Sequence, residues 1–247
     1  MKRISFWSLK YLHFHNMTFH EGLTDRDYQH IPKHHRRVLH HKETVPDSLD
    51  WREYGVVGPV RKQEDCNSCW AFAAAGSLEY WMKKSDPDAE LNVQSILDCT
   101  PNTYGCLGGL MEHVFDYDHY FPLGFDYKDK AGACHVGEDG VRAISHVEVD
   151  VRVEDALPYM VYKWGPVPVA IDFSKQANYK GGVIEANQCS GDPHHAVLVV
   201  GYTPEYWIVK NSMGTEWGDK GYAYVRKGHN ACGLDTYASV ATGVITT

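Results

Sequence analysis

The chain has 247 residues, of which 43% are hydrophobic and 23% charged, so it can bury a core, and general disorder is excluded. The formal net charge of -8 at pH 7 provides no positive surface for nucleic acid or an anionic membrane, and we exclude both as partners. The longest apolar run, Cys69 to Met82, is too short to span a membrane and contains Glu79. The composition therefore predicts a globular protein of one large domain or two smaller ones.

Residues 1–44 differ in composition from the rest of the chain. They contain eight of the fifteen histidines, no cysteine, and more basic than acidic residues. They begin like a signal peptide, but Lys10 interrupts the apolar stretch, so we do not expect a cleavable signal. Val45-Pro46 begins an extended stretch, because proline biases the preceding residue away from helix. We therefore divide the chain into a leader, residues 1–44, and a body, residues 45–247.

Two helices are predicted in the first half of the body. The segment from Cys69 to Lys83 is rich in alanine and lacks proline, and Asn67 and Ser68 just ahead of it are suitable N-caps. The segment from Leu91 to Cys99 has the pattern of a shorter helix and is followed by turn-forming residues.

Short strands are predicted after about residue 145. The run 146–154 alternates apolar and polar residues with a period of two, and four further runs have strand-like length and composition. These four runs are 166–172, 195–202, 206–210 and 221–227. One helix, Asp155 to Lys163, is predicted between them. Because helices come first and strands follow, the sequence predicts an α+β fold with two lobes.

Cys69 stands at the first turn of the first predicted helix. The positive end of a helix favours thiolate over thiol, and the thiolate is the nucleophilic form. Two other interpretations remain open at this point. Cysteines at helix starts are commonly structural, and Cys66 forms a CxxC pair with Cys69, although a redox pair requires a thioredoxin-like βαβ context that this sequence does not predict.

A cysteine nucleophile needs a base, and the base needs a group that orients it. His195 lies at the start of a predicted strand, and Asn211 follows in the segment VKNSMGTEWG. Both follow Cys69 at about the 130–150 residue spacing of papain-like enzymes. A single histidine near a strand is commonly structural, but three residues in this order favour a catalytic site.

Residues 45–247 resemble the papain family (cathepsin-like cysteine peptidases) over essentially their whole length. The blocks that carry the resemblance are VPDSLDWREYGVVGPVRKQ, CNSCWAF, ILDC, YGCLGG, GPVPVAID, HAVLVVGY, KNSMGTEWG, GYAYVRKG and ACGL. The resemblance implies a papain-like two-lobed α+β fold with the active-site cleft between the lobes. The helical lobe would lie mainly in residues 60–145 and the β-barrel-like lobe mainly in residues 146–247.

The resemblance also assigns catalytic roles. It implies that Cys69 is the nucleophile, that His195 is the general base and acid, and that Asn211 orients the imidazole. The side-chain amide of Gln63 and the backbone N–H of Cys69 would stabilise the oxyanion of the attacked carbonyl group.

Substrate-binding residues follow from the same resemblance. Gly108 and Gly109 match glycines whose backbone pairs with an extended substrate, and Trp217 retains the second tryptophan of the family pattern. The pocket for the substrate residue two before the scissile bond would be lined by Met111, Ala170, Ala196 and Tyr237. This lining is apolar and Tyr237 would partly fill its end, which predicts a medium-sized apolar residue such as Leu or Val there in preference to Arg.

Seven cysteines allow three disulfides and one free thiol, and six cysteines alone permit fifteen pairings. The resemblance implies the pairs Cys66–Cys106, Cys99–Cys134 and Cys189–Cys232, which leave Cys69 free. It also removes the redox interpretation, because Cys66 then has another partner.

Several positions depart from the family pattern without removing a catalytic side chain. Met213 replaces a tryptophan, and Asn67 replaces a glycine. The acidic residues Glu64 and Asp65 follow Gln63, and His194 precedes the predicted catalytic histidine. We expect an active enzyme of reduced efficiency, and the alternative is a catalytically impaired homologue that acts as a binding or structural protein.

The resemblance implies an endopeptidase that cleaves proteins or peptides through a thiolate–imidazolium pair and an acyl-enzyme. No metal or organic cofactor is implied, and the pairs His34-His35 and His40-His41 are more simply explained as solvated, pH-sensitive charge than as a metal site. The leader resembles the end of an inhibitory prosegment without its long helical part, so the prosegment and cystatin-like inhibitors are expected partners. We expect a monomer that is lysosomal or secreted.

Overall fold

The computed structural model describes residues 44–149 and 153–247. The predicted leader, with its paired histidines, lies outside the described residues apart from Thr44. Within the described part of the chain, no helix is both long enough and apolar enough to cross a membrane.

The described residues form four α-helices: α1 is Cys69–Lys83, α2 is Val93–Cys99, α3 is Met111–Phe115 and α4 is Val153–Trp164. The prediction for α1 is confirmed at both ends. Helix α2 begins later than predicted because Leu91 forms a β-bridge with Leu123, and Asn92 caps the helix by accepting a hydrogen bond from the Ser95 N–H at 2.8 Å. Helix α3 was not predicted, and α4 begins before its predicted start.

The strands form one mixed sheet. They are β1 Leu49–Asp50, β2 Val141–Val149, β3 Val167–Ile171, β4 Val183–Ile184, β5 His195–Tyr202, β6 Tyr206–Lys210, β7 Tyr222–Arg226 and β8 Ala238–Thr246. The order in the sheet is β2-β8-β3-β5-β6-β7-β4, and β1 pairs with β5. Only β4 and β7 pair in parallel among these described strands.

Two strand predictions need correction. The run 146–154 was predicted as one strand, but the chain is already extended from Val141, and Val153 begins α4 instead. Val153 is fully buried in the core between α4 and the sheet, which explains why an apolar residue stands at that helix start. Strand β8 was not predicted, because small and polar residues such as Ser239 and Thr242 weaken its alternation.

The described residues contain two large hydrophobic cores and one small one. One surrounds α1 and includes the fully buried Trp70 and Met111, and the other lies between α4 and the sheet and includes Leu157 and Trp207. The core around α1 also takes residues from the sheet, so helices and sheet are packed as one structure.

Helix α1 packs directly against strand β5. The approach is close at Gly76, where a Cβ would lie 2.5 Å from Cδ2 of Leu198. Cys69 is the first residue of α1 and His195 is the first residue of β5. The packing of these two elements therefore fixes where the predicted nucleophile and base lie.

Three disulfides stabilise the segments around these elements. Cys66–Cys106 and Cys99–Cys134 link loops and helices near α1, and Cys189–Cys232 links two segments beside the sheet. These are the pairs that the family resemblance implies, and Cys69 is the free cysteine among the described residues.

Candidate active site

The Cys69 thiol is almost fully buried at the start of α1. Burial raises the pKa of this thiol to about 11, and the backbone N–H groups of Ala196, Trp70 and Cys69 itself act in the opposite direction. Ser68 is the N-cap residue, as predicted, but its side chain does not cap the helix and instead bonds to the Tyr127 hydroxyl at 2.7 Å. The helix N–H groups are thus not satisfied by the cap side chain.

His195 is buried and bonded to Asn211. Its Nε2 lies 2.8 Å from Oδ1 of Asn211, and the backbone N–H of Ser212 donates to the same oxygen at 2.8 Å. Because that oxygen is an acceptor, Nε2 carries the hydrogen, and a neutral imidazole then has its lone pair on Nδ1. Burial lowers the pKa of His195, and the bond to Asn211 raises it in part. The ring is therefore oriented as a base.

Gln63 is held on both ends of its side-chain amide. Its Nε2 donates to the carbonyl oxygen of Cys66 at 2.9 Å, and its Oε1 accepts from the Ser212 hydroxyl at 2.7 Å. The backbone N–H of Gln63 also donates to the Ser212 carbonyl at 2.9 Å. An amide nitrogen has two hydrogens, and this arrangement uses one of them. Ser212, which sequence reasoning missed, thus positions both Gln63 and Asn211.

An open cavity of about 360 Å³ lies at this point of the molecule. The four predicted catalytic residues line it together with Gly108, Trp217 and other side chains. The complete lining is Gln63, Asn67, Cys69, Leu107, Gly108, Phe173, Gln176, Ala177, His194, His195, Asn211, Met213 and Trp217. The structure therefore brings all four predicted catalytic residues to one solvent-accessible cleft.

The Phe173 ring lies between the rings of His195 and Trp217 in a chain of aromatic contacts. The Phe173 ring centroid lies 6.3 Å from that of His195 and 5.6 Å from that of Trp217. Met213, which stands where the family pattern has a tryptophan, is 36% exposed on the cleft wall. No pattern in the sequence identified Phe173 as a neighbour of His195, because the place of the Phe173 side chain depends on where the preceding strand β3 ends.

The four residues predicted to line a specificity pocket do not line this cleft. Met111, Ala170, Ala196 and Tyr237 lie together in the core around α1 with exposed fractions of 0%, 0%, 1% and 9%. Ala170 is paired with Ala196 across β3 and β5, and its N–H donates to the Tyr237 carbonyl at 2.9 Å. The four residues thus lie together in one core, and their role as a specificity pocket stays a prediction.

The two predicted substrate-binding glycines have different environments. Gly108 lines the cleft and has a φ of 127°, a backbone conformation that favours glycine. Gly109 does not line the cleft, and a Cβ on it would lie 2.7 Å from the Trp70 ring. Close packing against Trp70 therefore favours glycine at position 109, and its backbone pairing with a substrate stays a prediction.

Some of the residues that depart from the family pattern line the cleft and others do not. Glu64 and Asp65 are exposed and do not line the cleft. Glu64 forms an ion pair with Lys62 at 2.5 Å. Asn67 and His194 do line the cleft. Within residues 44–149 and 153–247, no group of three or more His, Cys, Asp or Glu side chains could hold a metal ion.

Comparison with known proteins gives a consistent result. Residues 45–242 match the family model described as papain family cysteine protease. Among curated proteins, the thiol protease aleurain-like of Arabidopsis thaliana is 39% identical over 79% of this chain, and cathepsin K of Mus musculus is 40% identical over 79% of this chain. The matches cover 60% and 64% of those relatives, so the chain spans about 60% of the length of the curated relatives it matches.

Solved structures with the same fold include procathepsins and a cysteine protease in complex with E-64. The digestive procathepsin L2 proteinase of Tenebrio molitor larval midgut superposes with a TM-score of 0.76 at 37% identity, over 83% of this chain and 70% of that one. A cysteine protease of Carica candamarcensis in complex with E-64 superposes with a TM-score of 0.74 at 31% identity, over 81% of this chain and 99% of that one. These matches establish the two-lobed α+β fold.

Proposed function

The chain belongs to the papain family of cysteine proteases, and on that premise we propose that it is a cysteine endopeptidase with Cys69 as its nucleophile. The observation that carries this proposal is the common cleft: Cys69, His195 and Gln63 all line it, and Asn211 holds the His195 ring at 2.8 Å. A nucleophile, a base, an orienting group and an oxyanion donor are the parts that acyl transfer requires.

The proposed reaction proceeds in two stages. Nδ1 of His195 takes the thiol proton of Cys69, and the sulfur attacks the carbonyl carbon of the scissile peptide bond. The carbon–nitrogen bond then breaks as the imidazolium gives its proton to the leaving amine, which leaves a thioester on Cys69. A water molecule, deprotonated by His195, attacks that thioester, releases the carboxylic acid product and restores the thiol.

Burial and local dipoles act in opposite directions on the proposed ion pair. Burial raises the pKa of Cys69 and lowers that of His195, so it favours a neutral thiol and a neutral imidazole. The start of α1, the N–H groups near the sulfur, and the attraction between the two opposite charges favour the ion pair. We therefore propose that the thiolate–imidazolium pair forms when the Cys69 thiol transfers its proton to the His195 imidazole, so that both charges appear together.

The proposed oxyanion site uses two donors of different kinds. The backbone N–H of Cys69 is fixed by α1, and the side-chain amide of Gln63 is fixed by its bonds to Cys66 and Ser212. The second amide hydrogen of Gln63 would donate to the developing oxyanion. Donors that are held before the reaction begins stabilise that charge without reorganisation.

The proposed partners and location follow from the same assignment. Proteins and peptides are the substrates, and a prosegment and cystatin-like inhibitors are the regulatory partners. Procathepsins are among the structures that the chain resembles. Three disulfides form readily in an oxidising compartment and support a lysosomal or secreted protein.

Turnover of fluorogenic dipeptide amides in a reducing, mildly acidic buffer tests the proposal. The panel should carry Ala, Leu or Arg as the residue two before the scissile bond. The full chain should hydrolyse at least one of them, and Cys69→Ser should abolish hydrolysis while its circular dichroism spectrum stays unchanged. Turnover that survives in Cys69→Ser would exclude Cys69 as the nucleophile, and no turnover by the folded wild type would favour the impaired homologue.

A further inference from the structure

The Tyr127 hydroxyl bonds to two residues of the loop that precedes α1. It donates to the Gln63 carbonyl oxygen at 2.6 Å and lies 2.7 Å from Oγ of Ser68. A phenol has one hydrogen, and because the Gln63 carbonyl can only accept, that hydrogen is used there. The Ser68 hydroxyl must therefore donate its own hydrogen to the Tyr127 oxygen. One phenol thus links the proposed oxyanion donor to the residue that precedes Cys69.

The Tyr127 ring and the loop beside it are both held in place. The ring packs edge-on against the Phe72 ring of α1, with the ring centroids 4.9 Å apart. Two residues further along the chain, Oδ1 of Asp129 accepts the backbone N–H of Cys66 at 2.9 Å. The segment around Tyr127 is therefore bonded both to α1 and to the loop from Gln63 to α1.

The Tyr127 phenol stays neutral and therefore keeps its hydrogen. Burial raises the pKa of Tyr127, and the bond to Ser68 acts in the opposite direction. The titratable groups that face the phenol are Asp129, Glu64 and the Cys69 thiol, and their negative charges raise its pKa further. The bond to the Gln63 carbonyl is thus present throughout the pH range in which a peptidase of this kind is assayed.

A serine at the start of a helix ordinarily competes for the helix N–H groups. The N-cap side chain accepts from the second or third N–H, but the Ser68 side chain makes no such bond. The third N–H, that of Ala71, already donates to the Ser68 carbonyl oxygen at 2.9 Å. The second, that of Trp70, bonds to the Cys69 sulfur and favours its thiolate. Because Tyr127 holds the Ser68 hydroxyl, the Trp70 N–H remains available to the sulfur.

We propose that Tyr127 is a positioning residue for both the thiolate and the oxyanion donor. Its bond to Ser68 keeps the Trp70 N–H directed at the Cys69 sulfur, and its bond to the Gln63 carbonyl fixes the backbone from which the donor amide extends. Tyr127 does not line the cleft, so it acts through Ser68 and Gln63 and does not touch the substrate. This inference rests on the proposed function.

The pH dependence of Cys69 alkylation by iodoacetamide tests the effect on the thiolate without requiring turnover. The reagent reacts with the thiolate and needs no oxyanion donor. In the full chain carrying Tyr127→Phe, the Ser68 hydroxyl loses its partner and can turn to accept the Trp70 N–H, which removes one bond to the sulfur. The alkylation midpoint should therefore rise by about one pH unit. His195 is present in both chains, so the difference between their midpoints reports the bonds at the sulfur. An unchanged midpoint in folded Tyr127→Phe would overturn the proposal.

A second substitution separates this effect from a general loss of structure. The double variant Tyr127→Phe with Ser68→Ala has no hydroxyl to compete for the Trp70 N–H, so its alkylation midpoint should return to the wild-type value. A merely structural role predicts no such recovery, because the double variant has fewer side-chain hydrogen bonds than the single one. A midpoint that stays raised in the double variant would overturn the proposal. If Tyr127→Phe alone does not fold, the double variant decides by the same criterion, since it leaves no buried hydroxyl unpaired.

Turnover tests the effect on the oxyanion donor. Both variants lack the bond to the Gln63 carbonyl, so kcat should fall by about 10-fold in each, a part of the full cost of removing an oxyanion donor, with little change in KM. Tyr202→Phe is the matched control, because its hydroxyl also donates to a backbone carbonyl, that of Pro46 at 3.0 Å, and Tyr202 does not line the cleft. The control should lower the melting temperature and change neither kcat nor the alkylation midpoint. A normal kcat in Tyr127→Phe, or an equal loss in Tyr202→Phe, would overturn the proposal.

The two proposals fail in distinguishable ways. If the wild-type chain hydrolyses peptides and Tyr127→Phe changes neither the alkylation midpoint nor kcat, the role of Tyr127 is wrong and the peptidase assignment stands. If no chain hydrolyses any peptide, but Tyr127→Phe raises the midpoint and Ser68→Ala restores it, the peptidase assignment is wrong and the role of Tyr127 at the thiolate stands.

Discussion

His195 and Asn211 form a buried pair in which Nε2 lies 2.8 Å from Oδ1. The backbone N–H of Ser212 donates to the same oxygen, so the direction of the bond is fixed and Nδ1 is left as the basic nitrogen. The pair joins the start of β5 to the loop that follows β6. This hydrogen bond therefore holds His195 in both its orientation and its tautomer.

Asn211→Ala should lower kcat with little change in KM. The substitution leaves the Nε2–H of His195 without its buried acceptor, which costs about 1–3 kcal/mol and corresponds to roughly 5- to 150-fold in rate. Asn211→Asp is the matched control, because a carboxylate oxygen still accepts that hydrogen bond, and it should retain more activity than the alanine variant. Equal loss in both variants would argue against an orienting role.

Gln63→Ala should lower kcat by about 10²–10³-fold, the usual cost of removing one oxyanion donor. The loss should fall on kcat more than on KM, because the donor acts on charge that develops in the transition state. Gln63→Glu keeps the shape but has no N–H to donate, so it should lose a similar factor. A normal kcat in a variant that has no side-chain N–H at position 63 would show that Gln63 does not stabilise the oxyanion.

The pH dependence of kcat/KM reports the environment of His195. Burial lowers the pKa of this imidazole, and a protonated imidazole cannot take the thiol proton. Activity should therefore fall as the pH decreases through a midpoint below about 6.5, the ordinary histidine value. Asn211→Ala should move that midpoint lower still, because the bond to Asn211 raises the pKa. A midpoint above 6.5 would show that burial does not control the base.

Met213→Trp should raise kcat/KM several-fold with little change in substrate preference. Methionine is flexible and 36% exposed on the cleft wall that His195 and Asn211 also line, so we expect it to protect their hydrogen bond less firmly than a rigid indole would. One better-protected hydrogen bond is worth about 1 kcal/mol, roughly fivefold in rate. Met213→Leu, which adds no rigid ring, should change little. An unaltered or lower rate in Met213→Trp would mean that Phe173 already covers the pair and the site has been rebuilt around methionine.

The elements that position the chemistry could be predicted because their signals are local. Helix α1 is an uninterrupted alanine-rich segment, and β5 is an apolar run that is buried on both faces. Strand β8 and the five-residue helix α3 were missed because neither has a continuous periodic pattern.

Long-range side-chain contacts near the site could not be read from the sequence. The hydroxyl of Tyr237 reaches Glu112 across 125 positions of sequence, and Ser212 reaches Gln63 across 149. Neither residue pair lies in one element, so no periodicity connects them. The apolar character of the predicted pocket was visible in its residue types, whereas the hydrogen bond from the Tyr237 hydroxyl to Glu112 was not.

Covalent labelling of the full chain with an epoxysuccinyl thiol reagent, followed by peptide mapping, tests the central claim most directly. The account predicts one label per molecule, on Cys69, since the other six cysteines are in disulfides. Labelling should be much slower in His195→Ala, because the base no longer takes the thiol proton. A label on any other cysteine, an unlabelled Cys69, or a rate that does not depend on His195 would contradict the account.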